Sequence, residues 1–150
     1  MTQNRIHLAL LAVWLVALSG CAGAMVNAPA PTLDPCSATM VNDDLLEMGD
    51  YLERFISAAD AASATERNQM EPLLAEMLDL IAQVEDETWP RCMDDLRQSM
   101  LTYMEAQTAA LGAFFLGEPT EGMQENAVAA YDAFIADVNA FTQQAQALEP

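Results

Sequence analysis

The chain contains no lysine, and its only fixed cations are five arginines: Arg5, Arg54, Arg67, Arg91 and Arg97. Schiff-base chemistry and a phosphate loop closed by a lysine are therefore excluded. Histidine is nearly absent, with His7 the single copy in 150 residues. Against these few cations stand 23 acidic side chains, for a formal charge of −18. A polyanion of that size repels phosphate backbones, so nucleic acid is not expected as a partner. No glycine-rich phosphate loop, G-x-S-x-G or EF-hand spacing occurs in the sequence. Three cysteines, Cys21, Cys36 and Cys92, leave one over after any pairing. The length suits one domain with a modest core.

What charge there is sits unevenly. Residues 1–20 hold no acid and one arginine, followed by Leu8–Leu18, an unbroken apolar run of eleven residues. Eleven helical residues span about 16 Å, roughly half a hydrocarbon core, so the run reads as the apolar region of a secretory signal. Leu18-Ser19-Gly20-Cys21 comes next: an aliphatic residue, two small ones, then cysteine. This resembles the lipobox of bacterial lipoproteins. The resemblance implies cleavage before Cys21, thioether lipidation of its sulfur and acylation of the new amino terminus, making membrane lipid the partner of Cys21. A single arginine stands where such signals carry two or three cations. Ala22, rather than aspartate, follows the cysteine, which in a Gram-negative cell implies sorting to the outer membrane. The competing reading is an uncleaved anchor over Ile6–Val26. Both place residues 22–150 in the cell envelope, outside the cytoplasm.

Cleavage after Gly20 would remove the only histidine and leave four arginines against 23 acids. A Ser-His-Asp or Cys-His arrangement cannot then be built. Histidine ligands for zinc, haem or copper are missing too, and a ferritin-like di-iron site lacks its Glu-x-x-His elements. Paired carboxylates remain as glycosidase chemistry, but that needs a deep cleft, which four short helices rarely leave. The chain is expected to be no enzyme and to carry no cofactor.

Residues 21–41 read as the lipidated cysteine and a flexible tether, with AGAMVNAPAPTLDP at 22–35 small, proline-bearing and unpatterned. Residues 42–150 read as a four-helix bundle. The first segment places Leu45, Met48, Leu52, Phe55 and Ala59 at steps of three and four, with Asn42 or Asp43 as its cap. The second carries Leu73, Met77, Leu80 and Val84, flanked by Leu74 and Ile81. Ser63 and Glu66 suggest a capping box, and Pro72 predicts a break near residues 68–72. The third, expected to be the longest, has one stripe of Leu96, Met100, Tyr103, Gln107, Ala110 and Phe114, and a second of Leu101, Met104, Leu111 and Phe115. Gly117-Glu118-Pro119-Thr120 ends it. The fourth presents Val128, Tyr131, Phe134, Ile135, Val138 and Phe141. No strand pattern competes, so the fold class is all-α, an up-down-up-down bundle with short connections.

With Cys21 lipidated, Cys36 and Cys92 remain in an oxidising compartment and are expected to pair. In such a bundle the first and third helices start at one end, where both cysteines fall. The acids Asp43, Asp44, Asp94 and Asp95 open helices and suit the dipole, whereas Glu85, Asp86 and Glu87 close one and oppose it. All seven crowd the disulfide end. They are either a solvated acidic surface or a calcium or magnesium site. Met93, Met100 and Met104 at helical spacing are core packing or a cuprous-ion site. The double stripe marks either the most buried helix or a partner-docking groove at Leu101, Met104 and Phe115. Gln107 within the stripe is a polar residue that fixes register.

Together these features predict a membrane-anchored lipoprotein whose ectodomain is an interaction or scaffold module for an envelope protein. The alternative is a cation- or small-ligand-binding lipoprotein using the acidic end or an interhelical pocket. The whole resembles small bacterial lipoproteins with helical ectodomains, a resemblance that assigns no named functional family.

Overall fold

Four α-helices make up most of residues 34–148, the part of the chain that the computed structural model describes. They are α1 (Ala38–Ala64), α2 (Glu71–Asp86), α3 (Asp94–Leu116) and α4 (Met123–Ala147). Single 3-10 turns at Arg67–Gln69 and Arg91–Met93 lead into α2 and α3. Cys21, the signal-like stretch before it and residues 22–33 lie outside the described residues. The expected all-α four-helix bundle, stapled between Cys36 and Cys92, is the fold observed. Among the described residues, no helix is long and apolar enough to cross a membrane.

Helix α1 buries Val41, Met48, Phe55 and Ala62, one residue every seven, together with Ala58 and Ala59. It begins at Ala38, four residues before the expected Asn42. The Ser37 carbonyl accepts from the Met40 and Val41 amides at 2.9 and 3.1 Å, and the fully buried Val41 extends the stripe back by a heptad. Neither Asn42 nor Asp43 is therefore a cap; the Asn42 amide instead donates to the Asp43 carboxylate at 3.4 Å. At 27 residues, α1 rather than α3 is the longest helix. Ser63 lies inside α1 and donates to the Ala59 carbonyl at 2.9 Å, so the Ser63–Glu66 capping box does not form.

The break after α1 falls at residues 65–70. Met70 is fully buried there, and its carbonyl accepts from the Leu73 and Leu74 amides, both at 3.0 Å. Pro72 occupies the first turn of α2, where its missing N–H has no helical acceptor to lose. Beyond it α2 buries Leu74, Met77, Leu80, Ile81 and Val84, the expected face with Leu73 at its half-buried edge.

Helix α3 buries the most side chains: Leu96, Met100, Leu101, Tyr103, Met104, Ala110 and Ala113. It packs against all three other helices, and for that reason it needs two apolar stripes. It ends at Gly117, whose φ of 79° is left-handed, while the Glu118 amide reaches back to the Ala113 carbonyl at 2.8 Å. Phe114, expected in the first stripe, is about half exposed, with the Arg67 guanidinium over its ring at 5.4 Å. Tyr103 ties three helices together, with its ring edge-on to Phe55 of α1 at 5.8 Å and tilted on Tyr131 of α4 at 5.1 Å.

Helix α4 packs chiefly on α3 and meets α1 sparingly. Its inner face runs Ala127, Tyr131, Phe134, Val138, Phe141 and Ala145, alternating steps of four and three. Val128 and Ile135, both expected in the core, are 57% and 37% exposed. They sit on the edge of α4 that turns toward α1, where too little of α1 arrives to cover them.

Candidate functional site

The disulfide end is where the sequence concentrates candidate chemistry. An Asp34 turn sets Cys36: the Asp34 carboxylate accepts from the Cys36 amide at 2.8 Å and its carbonyl from the Ser37 amide at 3.0 Å. Cys92 sits in the 3-10 turn before α3, and the two bonded cysteines have Cα atoms 6.1 Å apart. The starts of α1 and α3 are thus joined, as expected.

Two of the acids at this end, Glu47 and Glu87, have structural partners. Trp89 Nε1 donates to the Glu47 carboxylate at 3.1 Å, and the Tyr51 hydroxyl donates to the Glu87 carboxylate at 3.2 Å. The two rings meet edge to face at 6.2 Å. Burial, then the adjoining Glu87 carboxylate, raises the Tyr51 phenol above the usual tyrosine range. Arg97 Nη1 donates to the Glu85 carbonyl at 3.4 Å and the Glu87 carbonyl at 3.3 Å. A guanidinium therefore occupies the negative end of α2, where Glu85, Asp86 and Glu87 are opposed by the dipole. Asp94 and Asp95 open α3 as expected, whereas Asp43 and Asp44 lie one turn inside α1, whose first turn holds no acid. Among the described residues, no three acidic, histidine or cysteine side chains converge as a group able to hold a metal ion.

The other expected sites fare differently. Leu101 and Met104 are buried, and Phe115 is half-buried against the core, so the docking groove foreseen at these three residues is packed interior. The cause is the central position of α3. Met93, Met100 and Met104 are fully buried among apolar side chains, together with Met70 and Met77, where flexible thioethers fill the core.

A different apolar surface is present. Between α1 and α4 runs a shallow trough of about 260 Å³, with Tyr103 and Gln107 of α3 as its floor, Ile56 as one wall, and Ala127, Val128 and Tyr131 as the other. Gln107, placed in the stripe by its spacing, is half-buried here. Burial, with Tyr131 and Asp60 adding to it, raises the Tyr103 phenol above its ordinary range. The sequence signal for this surface was Val128 and Ile135, seven residues apart on the margin of the α4 stripe. No family model, curated protein or solved structure matches the chain.

Proposed function

We propose that this chain is a lipid-anchored protein of the cell envelope whose helical bundle is a non-enzymatic interaction module. The observation that carries the reading is Leu18-Ser19-Gly20-Cys21 directly behind the apolar run Leu8–Leu18. Lipidation at Cys21 would add about 0.8 kcal/mol of membrane affinity per buried methylene, so two or three acyl chains hold effectively for good. The Cys36–Cys92 bond supports the same compartment, because such pairs persist where thiols are not kept reduced. The surplus of acid supports a solvated surface held off anionic lipid. Apolar side chains left open at the α1–α4 edge support contact with another protein.

Intact mass of the protein extracted from membranes tests the anchor. The expected species begins at Cys21 and carries a diacylglyceryl thioether, while Cys21→Ala gives a full-length, unacylated chain. An unacylated wild-type chain in the cytosol that still begins at Met1 would overturn the reading. Crosslinking of wild type and Cys21→Ala then tests the module: recovery of the same partners by both forms assigns recognition to the bundle.

A further inference from the structure

We infer that the α1–α4 trough is a docking site for a cationic amphipathic helix of a partner protein. This deepens the reading of the bundle as an interaction module and rests on it. The inference begins with the helical period. At 100° per residue, Leu45, Leu52 and Ile56 share the flank of α1 that borders its buried stripe, and Gly49 lies beside them with open space where a Cβ would stand. On α4 the matching flank carries Tyr131, Ile135 and Val128. The last two lie seven residues apart, two turns or about 10 Å along the helix. The slot between two such helices accepts a third lengthwise, through residues at i, i+3 or i+4, and i+7.

Charge selects the occupant. About 40–60° beyond Ile56 on α1 come Asp60 and Glu53, and about 40–60° beyond Val128 on α4 come Asp132 and Glu125. All four are exposed. The trough is thus apolar along its bed and acidic along both banks. Three of the arginines are engaged elsewhere: Arg54 lies over the Tyr51 ring, Arg67 over Phe114, and Arg97 caps α2, while Arg91 sits in the turn before α3 at the disulfide end. A second copy would bring the same acidic banks against these. Residues 22–33 contain no basic side chain to seat there, and an anionic lipid surface is repelled. A helix with one apolar face flanked by Arg or Lys satisfies both the bed and the banks.

The test uses the full-length protein in nanodiscs of zwitterionic lipid and labelled peptides of about 18 residues, five turns. One peptide is a leucine–arginine amphipathic helix, the second a scrambled isomer of identical charge, the third the amphipathic pattern with glutamate for arginine. Fluorescence anisotropy should show the first binding at least about tenfold more tightly than either of the others. Val128→Asp separates the two forces: added negative charge alone tightens binding of a cationic peptide, whereas an apolar bed requires binding at least about tenfold weaker. Ile135→Asp repeats the measurement at a second exposed position, Leu78→Asp on α2 should leave affinity unchanged, and thermal melts confirm that each variant is folded. Asp60→Asn should weaken binding and flatten its salt dependence.

Equal binding of the scrambled peptide, or undiminished binding by both trough variants, overturns the inference. Equal binding of the glutamate peptide overturns the cationic class of partner. Self-association that is abolished by Val128→Asp assigns the trough to a second copy and overturns it as well. Cys21→Ala protein should bind the peptide as wild type does, so failure of the anchor and failure of the trough are separate results.

Discussion

Removing the Cys36–Cys92 bond should cost this bundle a large part of its stability. The bond closes a loop between residues 56 apart in sequence, enclosing α1, its connector and α2. For a loop of that size, chain entropy gives about 14 cal/mol/K, or about 4 kcal/mol at ordinary temperature. Domains of this length are typically stable by about 5–15 kcal/mol, so the loss is of the same order as the whole margin. The Cys36→Ser/Cys92→Ser variant, unfolded in urea beside the wild type, reads it directly. With a slope of about 1–2 kcal/mol/M, the midpoint should fall by about 2–4 M. Helical circular dichroism in the absence of urea should remain near the wild-type value if enough stability is left. A midpoint within about 0.5 M of wild type would refute the reasoning, since the loop would then already be closed by residual structure in the unfolded chain. Single serine variants with the remaining thiol alkylated should match the double variant.

Three further outcomes follow from particular contacts. Arg97→Ala strips the guanidinium from the carbonyls of Glu85 and Glu87 and should cost about 1–2 kcal/mol by urea unfolding, with Arg97→Lys recovering part of it. Gly117→Ala and Gly122→Ala both force alanine into a left-handed backbone, at about 1 kcal/mol each. Only at Gly117 does the new Cβ meet Arg67, 2.8 Å from Nη2, so Gly117→Ala should melt at the lower temperature of the two. The raised Tyr103 phenol favours the neutral ring in the fold, so its contribution is intact below about pH 10 and is lost as pH climbs through the folded-state value. Tyr103→Phe should therefore flatten the alkaline decline of stability in pH-jump unfolding, and an unchanged slope would remove that assignment.

Much of the fold is written in spacing. The inner faces of α2 and α3 follow from their periodicity, and the pairing of two cysteines follows from which helices share an end. Local chemistry was less legible. Val41 lies a full heptad ahead of Met48, with only Ala38, Thr39 and Met40 before it, so the start of α1 is invisible until Ser37 is seen turning the chain beneath the staple. Ser63 had two uses for one hydroxyl, as a cap or as a donor to the preceding turn, and spacing alone does not choose between them. The fate of the double stripe depended on how many neighbours α3 has, which is a tertiary fact. Leu101 and Met104 went inward because three helices surround them. Val128 and Ile135 stayed outward because α4 leans on one. The acidic end shows the same limit: the sequence flagged the unfavourable charge at the end of α2, but Arg97 answers it from another helix, ten residues beyond Glu87.

The position of the staple has a mechanical consequence. Any pull arriving along the chain from its amino side reaches Cys36 before it reaches the first turn of α1, and there it divides between two covalent routes. Part enters α1 and part crosses to the start of α3, the helix held by all the others. Tension is then borne in parallel by the periphery and the centre of the domain, so α1 cannot be peeled away turn by turn, and the bundle yields only when its middle does.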